Sequence, residues 1–316
     1  MAPQINLKSA DRVEITTIMD NSLDILLSGN DHVKRFPLQT NSLASPLPIA
    51  EHGFSAIVDI KLGGVTRKIL FDTGVSENGV LHNLNVLNIK LETIDTIVLS
   101  HGHSDHAMGI LGLLAKMGRK KIPLILHPDA YLPRKIILPN DLEINIPNPK
   151  KEELADQNIE LIESVGPSML FDETSLVSGE IARTTEFETG FPIHYAKRKG
   201  SWVPDPLVSD DQCLIINVRN KGLVILSGCG HAGIINTIRN AQNISGIKKI
   251  YAVIGGFHLS GAIFEPIIKS TIGELTKIAP AFIVPGHCTG WKATHEIARQ
   301  LPEAFVQNSV GTTFVS

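Results

Sequence analysis

The sequence has few cysteines and no long apolar run, and each of these absences excludes a class of protein. Three cysteines in 316 residues cannot form a disulfide framework. No window approaches eighteen consecutive apolar residues, and residues 1–13 are polar and lack an apolar leader with a cleavage site. Disulfide-rich secreted proteins and membrane-spanning proteins are therefore excluded, and we expect a reduced, cytoplasmic protein.

An excess of charge of either sign is also missing, because the formal net charge is only −3. Nucleic acids and anionic membranes need a basic surface, so neither is an expected partner. We expect a small-molecule substrate, and a homo-oligomer is left open. The sequence also contains no Gly-x-Ser-x-Gly elbow and no Walker-type phosphate loop, which excludes serine hydrolases and nucleoside triphosphatases.

The sequence does have a hydrophobic fraction of 43%, which is enough for a sizeable core. Its apolar segments predict two similar successions of strands and helices. Apolar runs flank short glycine turns twice, as hairpins do, and these pairs are 54–60 with 67–71 and 214–218 with 223–226. Further apolar strands precede segments of helical spacing. This plan predicts one α/β domain over residues 1–316, with two sheets face to face and helices outside, an αββα four-layer sandwich.

Three segments rich in proline and polar residues interrupt this plan, near 29–52, 128–158 and 183–211. We predict irregular insertions there, the first a flap or an oligomer contact and the other two lids over a site. Arg134, Glu186 and Trp202 lie in the latter two. They are either pocket residues or exposed surface residues, and exposed surface is the favoured interpretation.

The densest chemical signal is the segment 100–106, Ser-His-Gly-His-Ser-Asp-His, directly after the apolar run 96–99. A single histidine is usually a surface or core residue, but three imidazoles and one carboxylate in one turn form the ligand set of Zn²⁺ and related ions. Three later strand ends also carry a histidine, namely His231, His258 and His287. The sequence therefore predicts a metal site.

This motif resembles the metallo-β-lactamase superfamily, whose signature His-x-His-x-Asp-His is matched by residues 101–106 and accompanied by 71–74 and 285–287. The resemblance implies an αββα fold, one or two metal ions and a hydroxide ion held by the metal as the nucleophile. Later blocks look like the 7,8-dihydropterin-6-methyl-4-(β-D-ribofuranosyl)aminobenzene-5′-phosphate synthase group. These blocks are 99–106, 127–130, 210–212, 227–233, 254–259 and 285–290.

Ligand roles follow from the resemblance. It implies His101 and His103 at a first metal, with Asp105, His106 and His287 at a second. It also implies that Asp72 orients the histidine turn, because an imidazole ligand usually needs a hydrogen-bond acceptor behind it. We expect Zn²⁺ as one or two ions, with Mn²⁺ or Fe²⁺ as alternatives.

The resemblance fails at one position. The superfamily commonly has a bridging aspartate after the strand that ends at Leu226, and this chain has Cys229 and His231 there. We assign His231 to the metal site, where it completes the first metal, and leave the bridge open. The separate third histidine of the first metal is not identified between 128 and 226.

Other roles stay open. Cys229 and Cys288 are thiolate ligands or small buried residues, and the second interpretation is favoured. His258 is a ligand, a proton donor, a substrate clamp or only the end of a Gly-Gly turn. Our catalytic assignment makes Asp105 the proton acceptor and His258 the proton donor.

Three functions remain. A metal-dependent hydrolase of a small phosphorylated, ester or lactone substrate is favoured. His103 supports it, because the superfamily's oxygen reductases resemble His-x-Glu-x-Asp at this position. The first alternative is a transferase that condenses a dihydropterin methyl diphosphate with an arylamine ribonucleotide, as the group's name implies. The second is a non-catalytic metal-binding sensor, which the intact ligand motif argues against.

Overall fold

A computed structural model describes residues 4–38, 44–118 and 121–316, so residues 39–43 of the predicted insertion at 29–52 lie outside the described residues. Its strands are β1 (Ser9–Ala10), β2 (Arg12–Met19), β3 (Val33–Lys34), β4 (Ser55–Leu62), β5 (Val65–Phe71), β6 (Thr96–Val98), β7 (Ile122–Leu126), β8 (Arg134–Ile137), β9 (Glu143–Ile146), β10 (Ile159–Glu163), β11 (Ser168–Leu170), β12 (Ser175–Val177), β13 (His194–Arg198), β14 (Ser201–Pro204), β15 (Cys213–Val218), β16 (Gly222–Ser227), β17 (Ile250–Gly256), β18 (Phe282–Gly286) and β19 (Thr313–Val315). Its helices are α1 (Gly79–Val86), α2 (Ser104–Ala107), α3 (Ile110–Met117), α4 (Lys151–Ala155), α5 (Ile234–Ser245), α6 (Ile268–Ile278) and α7 (Trp291–Gln300).

Two large mixed sheets form the body of the protein. The first has eight strands in the order β10-β7-β6-β5-β4-β2-β19-β3. The second has the order β11-β12-β15-β16-β17-β18, with β1 paired to β15. Both predicted hairpins are present, as β4–β5 and β15–β16.

The side chains of each strand point alternately to the two faces of its sheet, and this explains why the two large sheets stack on each other. On β15, Leu214, Ile216 and Val218 belong to the core between the two sheets, whereas Cys213 and Ile215 belong to the core under α5, α6 and α7. A third core lies between the first sheet and helices α1 and α3. The predicted αββα sandwich is therefore confirmed.

The prediction of irregular structure throughout 128–158 and 183–211 is wrong. These segments contain β8, β9, β13 and β14, which form a small antiparallel sheet in the order β14-β13-β8-β9. Pro133 precedes β8 and Pro147 follows β9, so these prolines bound the strands where a missing N–H group is tolerated. The proline content alone had suggested irregular structure across each whole segment.

The parallel strands place the site. Strands β5, β6 and β7 are parallel to one another, and so are β16, β17 and β18. Ligands in such sheets gather at the carboxyl ends of the strands, and each histidine turn named above follows such an end. Within the described ranges, no helix combines the length and the apolar character needed to cross a membrane.

Candidate metal centre

The turn after β6 is anchored by one carboxylate. Asp72, fully buried at the end of β5, accepts hydrogen bonds from Ser100 N (2.6 Å), Ser100 Oγ (2.7 Å) and His106 Nδ1 (2.7 Å). Because the single hydroxyl proton of Ser100 goes to Asp72, Ser100 Oγ must accept from His101 Nδ1 at 2.9 Å. His101 therefore presents an unprotonated Nε2 atom to the centre. His106, whose Nδ1 donates to Asp72, also directs its Nε2 there, and the predicted orienting role of Asp72 is confirmed.

These nitrogens converge on one another. His106 Nε2 lies 3.1 Å from His287 Nε2, and His287 Nδ1 donates to Asn21 Oδ1 at 3.0 Å. Two lone pairs at this distance repel each other unless a proton or a cation lies between them. Asp105 Oδ2 is 3.2 Å from His287 Nε2, which adds negative charge at the same point. The arrangement thus favours a cation.

A further histidine that the sequence interpretation did not identify, His194 at the start of β13, also lies at this centre. Its Nε2 lies 3.0 Å from His103 Nε2, and its Nδ1 contacts the carbonyl oxygen of Asp205 at 2.9 Å. Sequence reasoning misses His194 because the composition of 183–211 predicts irregular structure there. The signal available was a hairpin, since β-prone residues flank the Lys199-Gly200 turn between β13 and β14.

The turn after β16 is built differently. His231 is almost fully buried, yet neither of its ring nitrogens has a hydrogen-bond partner among the described residues. Its ring centroid is 4.8 Å from those of both His101 and His103. Cys229 Sγ lies 3.2 Å from His106 Nε2. A buried unpaired polar group is costly, so these atoms indicate a ligand.

Two groups of donor atoms could each hold an ion at this centre. Asp105, His106, Cys229 and His287 place one donor atom each within 4.8 Å of one another, and so do His101, Cys229 and His231. His101 Nε2 is likewise buried without a hydrogen-bond partner. Imidazole, carboxylate and thiolate donors of this kind suit Zn²⁺, so the residues present fit a metal centre.

Burial and nearby positive charge keep three of these imidazoles neutral, as metal ligands must be. Burial, followed by neighbouring histidines and Arg134, lowers the pKa of His101 and of His103 well below the usual value. Burial and then the nearby histidines do the same for His231. His106 differs: burial opposes its protonation, but Asp105 and Asp72 outweigh it and raise its pKa to about 9 in the metal-free protein. A proton thus occupies the position that a metal would take.

The surface interpretation of Arg134 is wrong, because this residue is only 1% exposed. Its Nη2 donates to Asp210 Oδ1 at 2.5 Å, and Asp210 Oδ2 accepts from Gly102 N at 2.8 Å. The ion pair therefore ties the small sheet to the histidine turn. Gly102 is required there, since a Cβ would lie 2.0 Å from the Ala130 carbonyl oxygen. Glu186 and Trp202 are exposed, as predicted.

A cavity of about 220 Å³ opens beside the centre. His231, His258 and the aromatic side chains of Phe257 and Phe264 are among the residues that line it. Phe191 packs near both the centre and the cavity, with its ring centroid 5.8 Å from that of His194 and 5.3 Å from that of Phe264. The centre thus adjoins a chamber with an apolar, aromatic face.

The structure brings all six predicted ligands into this one centre: His101, His103, Asp105, His106, His231 and His287. Whether each binds metal stays a prediction. His258, predicted to be catalytic, lies at the edge of the centre, with its ring centroid 4.1 Å from that of His231.

Comparison with known proteins agrees with this geometry. The family model described as the metallo-beta-lactamase superfamily matches residues 52–170. The chain belongs to this superfamily. It is 33% identical to the 7,8-dihydropterin-6-methyl-4-(beta-D-ribofuranosyl)-aminobenzene-5'-phosphate synthase of Methanocaldococcus jannaschii, over 89% of this chain and 96% of that protein. An uncharacterized protein of the same organism is 34% identical over 83% of this chain and 92% of its own length.

Solved structures share the fold. The crystal structure of Tm1679, a metal-dependent hydrolase of the beta-lactamase superfamily, has a TM-score of 0.73 and 22% identity, covering 96% of this chain and 98% of that one. The metallo-beta-lactamase fold protein YhfI from Bacillus subtilis has a TM-score of 0.54 and 13% identity, covering 97% of this chain and all of that one. At these identities, the likeness concerns the fold alone.

Proposed function

We propose that this protein is a metal-dependent hydrolase of a small phosphorylated, ester or lactone substrate. The observation that carries the proposal is the set of buried, unpaired imidazole nitrogens on His101 and His231 next to an open chamber. A bound Zn²⁺, or Mn²⁺ or Fe²⁺ in its place, would acidify a water molecule and polarise the scissile group. His101, His103, His194 and His231 would hold a first ion, and Asp105, His106 and His287 a second.

Residues of the chain supply orientation and charge. Burial opposes ionisation of Asp105, but His106 and His287 outweigh it and lower the pKa of this carboxyl group far below its usual value. Asp105 therefore stays ionised and can hold a cation or accept a hydrogen bond from water or substrate. A carboxyl group of such low pKa is a weak base, which argues against the predicted role of Asp105 as proton acceptor. Phe257 and Phe264 cover the apolar part of a substrate and exclude water from it.

Metal analysis of the purified protein, combined with an ester, lactone and phosphodiester panel, tests the proposal. We expect at least one bound metal per chain and turnover that a chelator abolishes and added metal restores. Loss of metal in the His194→Ala variant, but not in a His295→Ala control on the exposed face of α7, would support the ligand set. A metal-replete protein that turns over no member of the panel would contradict a hydrolase.

A transferase is the second candidate, because a relative that matches nearly the whole chain is named a synthase and the chamber wall is aromatic. Planar aromatic substrates pack well against such side chains. A diphosphate donor, offered with and without an arylamine acceptor in ¹⁸O-labelled water, separates the two. Hydrolysis puts the label into a product without needing the acceptor, whereas transfer requires the acceptor and leaves both products unlabelled.

A further inference from the structure

A second cluster of ligand side chains adjoins the centre on the side of the chamber. Cys229, His258 and Cys288 follow β16, β17 and β18, three adjacent parallel strands, and their donor atoms lie within 4.8 Å of one another. Cys288 Sγ donates a hydrogen bond to the carbonyl oxygen of Cys229 at 3.1 Å. His258 and Cys288 are outside both groups of donor atoms described above, and so far have no assigned partner ion.

The backbone is shaped to bring these side chains together. A Cβ on Gly256 would lie 2.3 Å from the Gly228 carbonyl oxygen and 2.7 Å from Cys288 Sγ, so only glycine fits where the turns after β16 and β18 meet. His258 has φ +47°, a region that a non-glycine residue occupies at a cost of about 1 kcal/mol or more. Its Nδ1 is buried and has no hydrogen-bond partner. Strain together with an unpaired buried nitrogen indicates a ligand position.

We propose that Cys229, His258 and Cys288 form an additional metal position for a thiophilic ion, such as Zn²⁺ or Cd²⁺. Two sulfur donors and one imidazole make a soft ligand set, with a fourth position left for water or substrate. Two thiolates also neutralise one divalent ion. The position goes beyond the proposed hydrolase, whose ions need neither His258 nor Cys288.

Cys229 belongs to this cluster and also to both groups of donor atoms at the centre. Its sulfur lies 3.2 Å from His106 Nε2 on one side and close to Cys288 on the other, so a thiolate at this point connects the additional position to the centre. His258 then acts as a ligand and not as the proton donor of our catalytic assignment. The cavity of about 220 Å³ reaches His258, which gives an ion or a substrate group access from the chamber.

Cobalt substitution of the reduced full-length protein tests this position without any measurement of turnover. We expect wild type to show a thiolate-to-cobalt charge-transfer band, and Cys288→Ala to bind roughly one equivalent of Co²⁺ less with a weaker band. His258→Gln should lose the same equivalent, which keeps the test valid if one variant folds poorly. Cys213→Ala is the matched control, because this buried thiol lies in the core under α5.

Three results would overturn the additional position. One is wild-type cobalt stoichiometry and band intensity in both Cys288→Ala and His258→Gln. Another is metal-loaded protein in which Cys229 and Cys288 are joined as a disulfide, since a disulfide offers no thiolate. The third is full metal binding by His258→Gln with loss of activity alone, which is the result expected of a proton donor. A protein without hydrolase activity would leave the cobalt result intact, so the two proposals fail separately.

Discussion

The two halves of the metal centre are held in opposite ways. In the turn after β6, each of His101 and His106 has its Nδ1 fixed by a hydrogen bond that leads to Asp72. In the turn after β16, His231 has no hydrogen-bond partner for either nitrogen among the described residues. The first half is oriented without an ion, whereas His231 in the second half would obtain its polar partner only from a bound ion. Stability and metal affinity should therefore respond differently to changes in each half.

The largest effect is expected from Asp72→Asn, which breaks the anchored half. Its amide nitrogen cannot accept from the donors on Ser100 and His106, at a cost of about 1–3 kcal/mol for each donor left unpaired, and metal affinity should fall about 10–100-fold. Chemical denaturation measures the loss of folding stability, and metal titration measures the loss of affinity. Asp59→Asn, which loses only the partly exposed pair with Lys68, should cost less than about 1 kcal/mol. Equal losses in the two variants would contradict the anchoring role.

Arg134→Met is next, because it leaves Asp210 buried without its ion-pair partner. Removing one member of a buried pair costs about 3–5 kcal/mol of folding free energy. Arg198, whose side chain is 39% exposed and pairs with Asp129, offers the control Arg198→Met, with an expected cost of about 0–1 kcal/mol. Adding Asp210→Asn to Arg134→Met should recover part of the stability in urea. If the double variant is no more stable than Arg134→Met, loss of the ion pair with Asp210 is not the cause of the destabilisation.

The sharpest test of the comparison sets His231→Leu against His106→Leu in metal-free protein. Replacing the unpaired His231 should change stability by less than about 1 kcal/mol or increase it, because no hydrogen bond is lost. His106→Leu should cost about 1–3 kcal/mol, since Asp72 loses a donor. Both should bind less metal. A strongly destabilised His231→Leu protein would show that its ring is held by contacts other than an ion.

The last prediction concerns the pH dependence of stability in the metal-free protein. The pKa of His106 is raised to about 9, so its stabilising contribution is fully present below about pH 6.5 and is lost as the pH rises through about 9. Unfolding midpoints in urea between pH 6 and pH 9.5 should fall for wild type and fall less for His106→Gln. Bound metal should remove the difference, because the ion takes the place of the proton. Identical slopes would contradict this account.

Local sequence was sufficient for the anchored half and for the sandwich. The turn 100–106 is contiguous, and its position after an apolar strand already determines where the ligands lie. Asp72 follows the neighbouring strand, so its proximity could also be predicted from parallel pairing. The alternation of residues in the two hairpins indicated which faces are buried.

Local sequence was not sufficient where a distant partner decides the outcome. In the sequence, His194 is indistinguishable from an ordinary polar residue. Only the pairing of β13 with β8 brings it next to His103. Arg134 reads as a surface residue until Asp210, 76 positions away, neutralises it. Burial of a charge depends on its partner and not on its neighbours in sequence, so Arg134 was wrongly assigned to the surface. His194 was not identified because its position depends on strand pairing across the chain.

The distances along the chain between the paired histidines have a consequence for biosynthesis. His103 and His194 are 91 positions apart, and His106 and His287 are 181 apart. An ion held by such pairs would connect segments that the ribosome synthesises at different times. The complete set of donor residues exists only once synthesis has passed His287. Under the proposed ligand assignment, metal loading would follow translation. By linking distant residues, a bound ion would reduce the conformational entropy of the unfolded chain over much of its length.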